Sequence, residues 1–177
     1  MSLNKNEVDN IFSMEKIRRI GVIVVLTLLA CAGPMHRQAE VPRPLPKSSA
    51  KHLIKEAKKH LGEPYRFGGV SSKGWDCSGF VMTLYDECLN IILPHKSAEM
   101  FEQGFPLAVS RSKPGDLVFF KLRHGKPSHV GLYIGKRKFI HATKSGGVMI
   151  YTLDDKYYSR RFIGVRRINF QSVAAMQ

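Results

Sequence analysis

The sequence predicts an α+β domain: helices first, then an antiparallel sheet of about five or six strands. Three observations carry this. Apolar residues recur at helical spacing early on, as Leu53, Ile54, Ala57 and Leu61, and again as Cys77, Val81, Leu84 and Cys88. Later the chain breaks into short runs rich in β-branched and aromatic residues, over 117–122, 130–134, 139–142, 148–153 and 162–168, separated by Gly- or Lys-rich turns. Helical patterns precede strand patterns without alternating with them, and no repeat is present, which points away from parallel βαβ units.

Composition bounds the reading further. A chain of 177 residues with 44% hydrophobic residues holds one ordinary domain plus an accessory segment. Lys and Arg number 28 against 14 Asp and Glu, a formal charge of +14, which suits anionic surroundings. The basic residues are scattered from Lys47 to Arg167 with no nucleic-acid motif around them, so nucleic acid is not the expected partner. The 3 cysteines cannot all pair with one another, so a disulfide scaffold is not expected.

Taken in order, residues 1–13 are polar, and Met14 is read as the natural start. Lys16, Arg18 and Arg19 then precede an apolar run from Ile20 to Ala30, the layout of a secretory signal peptide. The run falls short of the roughly 20 residues that span a bilayer. Leu28-Leu29-Ala30-Cys31 resembles the lipobox of bacterial lipoproteins, in which the cysteine is lipidated and tethers the chain to a membrane face. An ordinary signal peptide or uncleaved anchor with an incidental cysteine is the alternative. Ala32 after the cysteine, where Asp would signal retention, points to the inner leaflet of the outer membrane. Pro34, Pro42, Pro44 and Pro46 make the following stretch a semi-extended spacer. The expected organisation is therefore 1–30 extension and signal, 31–47 lipidated cysteine and linker, and 48–170 folded domain.

Ser48 or Ser49 is expected to cap a helix to about Leu61, with Lys58 and Lys59 in its last turn and Gly62 as its stop. Pro64, Gly68, Gly69 and Gly74 predict a loop with close backbone approaches. The next helix should start at Asp76 or Cys77, with the Cys77–Val81–Leu84–Cys88 stripe facing the core. Cys88 lies about 16 Å along that helix from Cys77, out of disulfide reach, and reads as a small buried hydrophobe. Ser97 should cap a short helix to about Gln103, and Pro114-Gly115 turns the chain into the strands.

Cys77 at a helix start is the candidate nucleophile. A thiol attacks as thiolate, and a helix N-terminus or a neighbouring imidazolium lowers its pKa. His129 and His141 could supply that imidazole, one as base and the other orienting it. They flank a hairpin near residues 135–137. They share one face only if its loop has an odd number of residues or a bulge adds one, for which Gly135 is suited. Gly131, two positions from His129, is expected to leave room for the Cys77 helix. Against this, a cysteine on a core-facing helix is more often packing than chemistry, and a strand histidine more often a satisfied core residue. A zinc site at Cys77, His129 and His141 lacks the paired C-x-x-C or H-x-x-x-H spacing, so no metal and no cofactor are called for. His36, His52, His60, His95 and His124 read as solvated.

Five ordered motifs then resemble one family. Leu61-Gly62-Glu63-Pro64-Tyr65-Arg66-Phe67-Gly68-Gly69, Asp76-Cys77-Ser78-Gly79-Phe80, Pro114-Gly115-Asp116-Leu117-Val118-Phe119-Phe120, His129-Val130-Gly131-Leu132-Tyr133-Ile134-Gly135 and Phe139-Ile140-His141-Ala142 look like those of the NlpC/P60 family of bacterial cell-wall cysteine peptidases. The likeness covers about Ser48 to Ile168 and is strongest to small Gram-negative lipoproteins of the Spr/NlpC type. It implies a reduced papain-like fold, with Cys77 as nucleophile, His129 as general base and His141 orienting His129. It also implies Tyr65 near the oxyanion site, with Asp76 and Ser78 lining the substrate groove. Leu93-Pro94-His95-Lys96-Ser97 departs from the family pattern, where Arg commonly follows the proline. The implied function is a membrane-anchored murein endopeptidase in the cell envelope, acting on peptidoglycan stem peptides or cross-links and expected as a monomer. The alternatives are a thiol amidase or acyltransferase on the same scaffold and a non-catalytic wall-binding lipoprotein.

Overall fold

The computed structural model describes residues 41–122 and 125–170; the signal segment, Cys31, His36 and His124 lie outside them. Helix α1, Lys47–Lys59, buries Ala50, Leu53 and Ala57. Neither Ser48 nor Ser49 caps it. Pro46 holds the cap position, and its carbonyl accepts the Ala50 N–H at 2.9 Å. The helix stops before Gly62, which takes a left-handed φ of 85°. A two-strand ribbon, β1 (Val70–Ser71) and β2 (Gly74–Trp75), leads into helix α2, Cys77–Leu89. Helix α3, Ser97–Gln103, begins at Ser97 and is not capped by it: the hydroxyl donates instead to the Pro127 carbonyl at 3.3 Å.

The strands are β3 (Phe105–Leu107), β4 (Leu117–Phe120), β5 (His129–Gly135), β6 (Lys138–Thr143), β7 (Gly147–Thr152) and β8 (Phe162–Arg167). They form one antiparallel sheet ordered β3-β8-β4-β5-β6-β7, so the α+β expectation holds with six strands. The 3-10 turn Val109–Arg111 and the four-residue helix α4, Lys156–Ser159, complete the described elements.

Period-2 alternation sorts the strand side chains onto two faces. Leu117, Phe119, Val130, Leu132, Ile140 and Ala142 join Leu53, Phe80, Val81 and Leu84 in the core between helices and sheet. Val118, Phe120, Tyr133, Phe139 and Val165 form a second cluster with Tyr158 of α4. Both faces of β4 are thus covered, and all four of its residues are buried. Of the stripe expected on α2, Val81 and Leu84 are fully buried, while Cys77 and Cys88 are half-buried at its ends.

One buried ion pair ties the sheet together. Arg167 Nε and Nη2 donate to the two oxygens of Asp116 at 2.7 and 2.8 Å. Arg167 Nη1 also reaches the Pro42 carbonyl at 3.1 Å, and Leu45 packs on the core, so the last spacer residues lie against the domain.

Candidate active site

The nucleophile candidate stands at the first position of α2 because Asp76 caps that helix. Asp76 Oδ1 accepts the Gly79 N–H at 2.6 Å and the Ser78 hydroxyl at 3.0 Å, and Oδ2 accepts the Gly68 N–H at 2.9 Å. The backbone N–H groups of Val130, Ser78 and Cys77 are directed at the sulfur and favour its ionised form. Burial outweighs them, with the Asp76 carboxylate adding to it, and pushes the thiol up to about 11. The lowered thiol pKa expected from a helix start is therefore reversed, because burial outweighs the helix terminus.

The histidine pair depends on one bulge. Strands β5 and β6 pair Gly135 with Lys138 across a two-residue turn, Lys136 and Arg137, both left-handed at φ 49° and 57°. That register alone would put His129 and His141 on opposite faces. A shift between Tyr133 and Gly135 restores Tyr133↔Phe139 and Leu132↔Ile140, and Gly135 at φ 94° accommodates it. Continued, this register sets His141 beside Gly131 and two residues from His129 on the same face. His129 Nε2 and His141 Nδ1 lie 2.6 Å apart, with the rings 84° to one another.

That face carries the second cluster, not the one on which α2 packs, which corrects the expectation for Gly131. A Cβ there would meet Phe139 Cδ2 at 2.7 Å and His141 Cβ at 3.3 Å, so the space serves the histidine strand. Cys77 and His129 open on one cleft because each stands at an element's start, of α2 and of β5. The Val130 N–H directed at the sulfur belongs to the residue after His129.

Burial lowers His129 to about 4, opposed by the Asp76 carboxylate, and holds His141 well below the usual imidazole value, with His129 adding to the effect. Both rings are neutral at rest. If His129 is to present a lone pair at Nδ1, its Nε2 must carry the proton and donate it to His141 Nδ1. His141 Nε2 then carries a proton too. That atom is buried without a hydrogen-bond partner among the described residues. Tyr151 and Tyr158 stand at 83° and 86° to the His141 ring, with centroids 5.5 and 5.1 Å away, and box it in. Tyr158 also stacks beside His129 at 24°.

Tyr65, Asp76, Cys77, Ser78 and His129 line the cleft, while His141 stands behind His129. Residues outside the sequence expectation join them, among them Phe67, His95, Lys144 and Tyr157. His95, expected to be solvated, instead places Nε2 3.2 Å from both Asp76 oxygens. His60 is likewise no bystander: it bonds Glu63 at 3.0 Å and packs edge-on against Trp75 and Phe80. Tyr158 was missed although Asp155 gives a usable signal, capping α4 through the Tyr157 and Tyr158 N–H groups. Among the described residues no three His, Cys, Asp or Glu side chains are gathered to hold a metal ion.

The arrangement offers a thiol at a helix N-terminus, an imidazole hydrogen-bonded to a second, and N–H donors beside the sulfur. The family described as "NlpC/P60 family" matches residues 62–167. A "Probable endopeptidase NlpC homolog" of Haemophilus influenzae is 44% identical over 108 residues, covering 61% of this chain and 57% of that protein. "Murein DD-endopeptidase MepS/Murein LD-carboxypeptidase" of Escherichia coli is 41% identical over 108 residues, covering 60% and 56%. The chain thus spans little more than half the length of these two relatives. A crystal structure of an NlpC/P60 family protein from Bacillus cereus superposes with a TM-score of 0.64 at 33% identity, over 75% of this chain and 43% of that one.

Proposed function

Because the chain belongs to the NlpC/P60 family, we propose that it is a peptidoglycan endopeptidase working by cysteine nucleophilic catalysis. The single observation that carries this is the shared cleft of Cys77 and His129, with His141 locked onto His129 at 2.6 Å. The murein activity in the name of the E. coli relative supports the substrate class.

In this reading Cys77 Sγ attacks the carbonyl carbon of a stem-peptide amide as its proton passes to His129 Nδ1. The neutral thiol and neutral imidazole at rest suit transfer during attack. We assign stabilisation of the developing oxyanion to the Cys77 N–H and to Tyr65 at the cleft wall. His129 returns the proton to the leaving amine, a thioester remains on Cys77, and water activated by His129 releases it. His141 accepts from His129 Nε2–H throughout and steadies the imidazolium. Asp76 and Ser78 shape the groove, with their polar atoms engaged on one another.

We further propose that Cys31 is lipidated and that the Pro-rich spacer holds the domain near the inner leaflet of the outer membrane. Metabolic labelling with an alkyne fatty acid tests this: label that survives Cys31→Ala overturns it. The enzymatic reading is tested by muropeptide release from purified peptidoglycan. Wild type should release products that Cys77→Ala does not, and equal release from both contradicts it.

A further inference from the structure

The cleft beside Cys77 is richer in cations than in anions. Lys144 and Lys96 line it together with the His95 imidazole, and Asp76 is its carboxylate among the described residues. That carboxylate is already occupied. Its oxygens take the Gly79 and Gly68 N–H groups and the Ser78 hydroxyl, and His95 Nε2 closes on both at 3.2 Å. Gly79 permits that closure, since a Cβ there would stand 2.9 Å from His95 Nε2. The Asp76 side chain retains 11% of its exposure and His95 34%, so the imidazole and not the carboxylate faces the opening. Lys96 is drawn to Glu99 at 2.8 Å, a residue outside the cleft wall. Lys144, exposed at the β6–β7 turn, forms no ion pair among the described residues.

From this we infer that the cleft selects substrates with a free carboxylate close to the scissile amide, with Lys144 as the cation that pairs with it and His95 shielding Asp76 from it. A substrate presenting a free amine there would meet a lysine and find no open carboxylate. A charge-assisted contact in a partly enclosed cleft shifts affinity by about ten- to hundredfold. At the position where Arg commonly follows the proline, the His95 imidazole covers Asp76.

The inference rests on the hydrolase reading above, and its test separates the two. Two synthetic stem peptides are compared that differ only in a carboxylate or a carboxamide beside the scissile bond. Wild type should favour the carboxylate peptide by about tenfold or more in kcat/KM, mostly through KM. Lys144→Gln should bring the ratio to within about twofold, and Lys144→Arg should keep it. His95→Gln should lower it in part. Because Lys144 is exposed, its variants should melt with wild type. Equal hydrolysis of both peptides by wild type, or an unchanged ratio in Lys144→Gln, overturns the inference while leaving the hydrolase reading intact. Failure to cleave either peptide or peptidoglycan overturns both.

Discussion

Replacing His141 tests how the imidazole pair is held. His141→Leu keeps most of the volume but removes Nδ1, the acceptor for His129 Nε2–H at 2.6 Å. The ring is fully buried, so water does not replace it. At rest the loss leaves one neutral donor unsatisfied. When His129 becomes an imidazolium during attack, the missing partner is that of a buried cation, and hydrogen bonds to charged groups contribute about 1.5–3 kcal/mol. At about 1.4 kcal/mol per factor of ten, kcat should fall about 10- to 150-fold with little change in KM. His141→Asn places Oδ1 near the position of Nδ1 and drops the unpartnered Nε2, so it should recover most of kcat. Steady-state hydrolysis of a synthetic stem peptide by the three proteins gives the comparison. An unchanged kcat in His141→Leu, or a loss confined to KM, would refute the orienting role.

Arg167→Met leaves the Asp116 carboxylate buried without its partner and should cost about 3–5 kcal/mol by urea unfolding, with Asp116→Leu added on top restoring much of it. His129 folds at about 4 against an unfolded value near 6.5, so between these pH values the unfolded chain binds the extra proton. Stability should therefore rise with pH across that window, by about 3 kcal/mol from this residue, with His141 acting in the same direction. A melting temperature flat from pH 7 to pH 4 would contradict the neutral pair. Tyr158→Phe should hold kcat, since the packing on both imidazoles is made by the ring, whereas Tyr158→Ala should lower kcat about tenfold or more and broaden the histidine NMR signals.

Much of the helical half was legible because its signals are local. The α2 start at Cys77 follows from an Asp that caps its own helix, and periodicity placed Val81 and Leu84 inward. Prediction weakened where tertiary partners decide. Ser48, Ser49 and Ser97 look like caps in the chain, yet the α1 cap position falls to Pro46 and the Ser97 hydroxyl goes to Pro127. Phe105–Leu107 carries Pro106, which disqualifies a central strand but is tolerated at the edge this strand occupies. The insertion of β8 between β3 and β4 joins residues some fifty positions apart, as Leu117↔Arg166 shows, and no short pattern reports it.

The site was legible in its members and not in its arrangement. The parity argument required a bulge for His129 and His141 to meet, and the Tyr133–Gly135 shift supplies it. The face was misjudged, because Gly131 reads the same whether it clears a helix or a neighbouring strand. His95 gave no sign of its contact with Asp76, since the carboxylate it meets lies 19 residues away in a different element. The thiol's raised pKa was hidden too, because burial is a property of the folded cleft.

A covalent step at Cys77 is read out by intact-mass analysis of the protein quenched in acid during turnover of a stem peptide. The expected result is a species heavier by the acyl part of the peptide, mapped by digestion to the segment containing Cys77 and absent in Cys77→Ala. Peptide cleavage by Cys77→Ala at the wild-type rate, with no adduct on Cys77 in the wild-type protein, would contradict it.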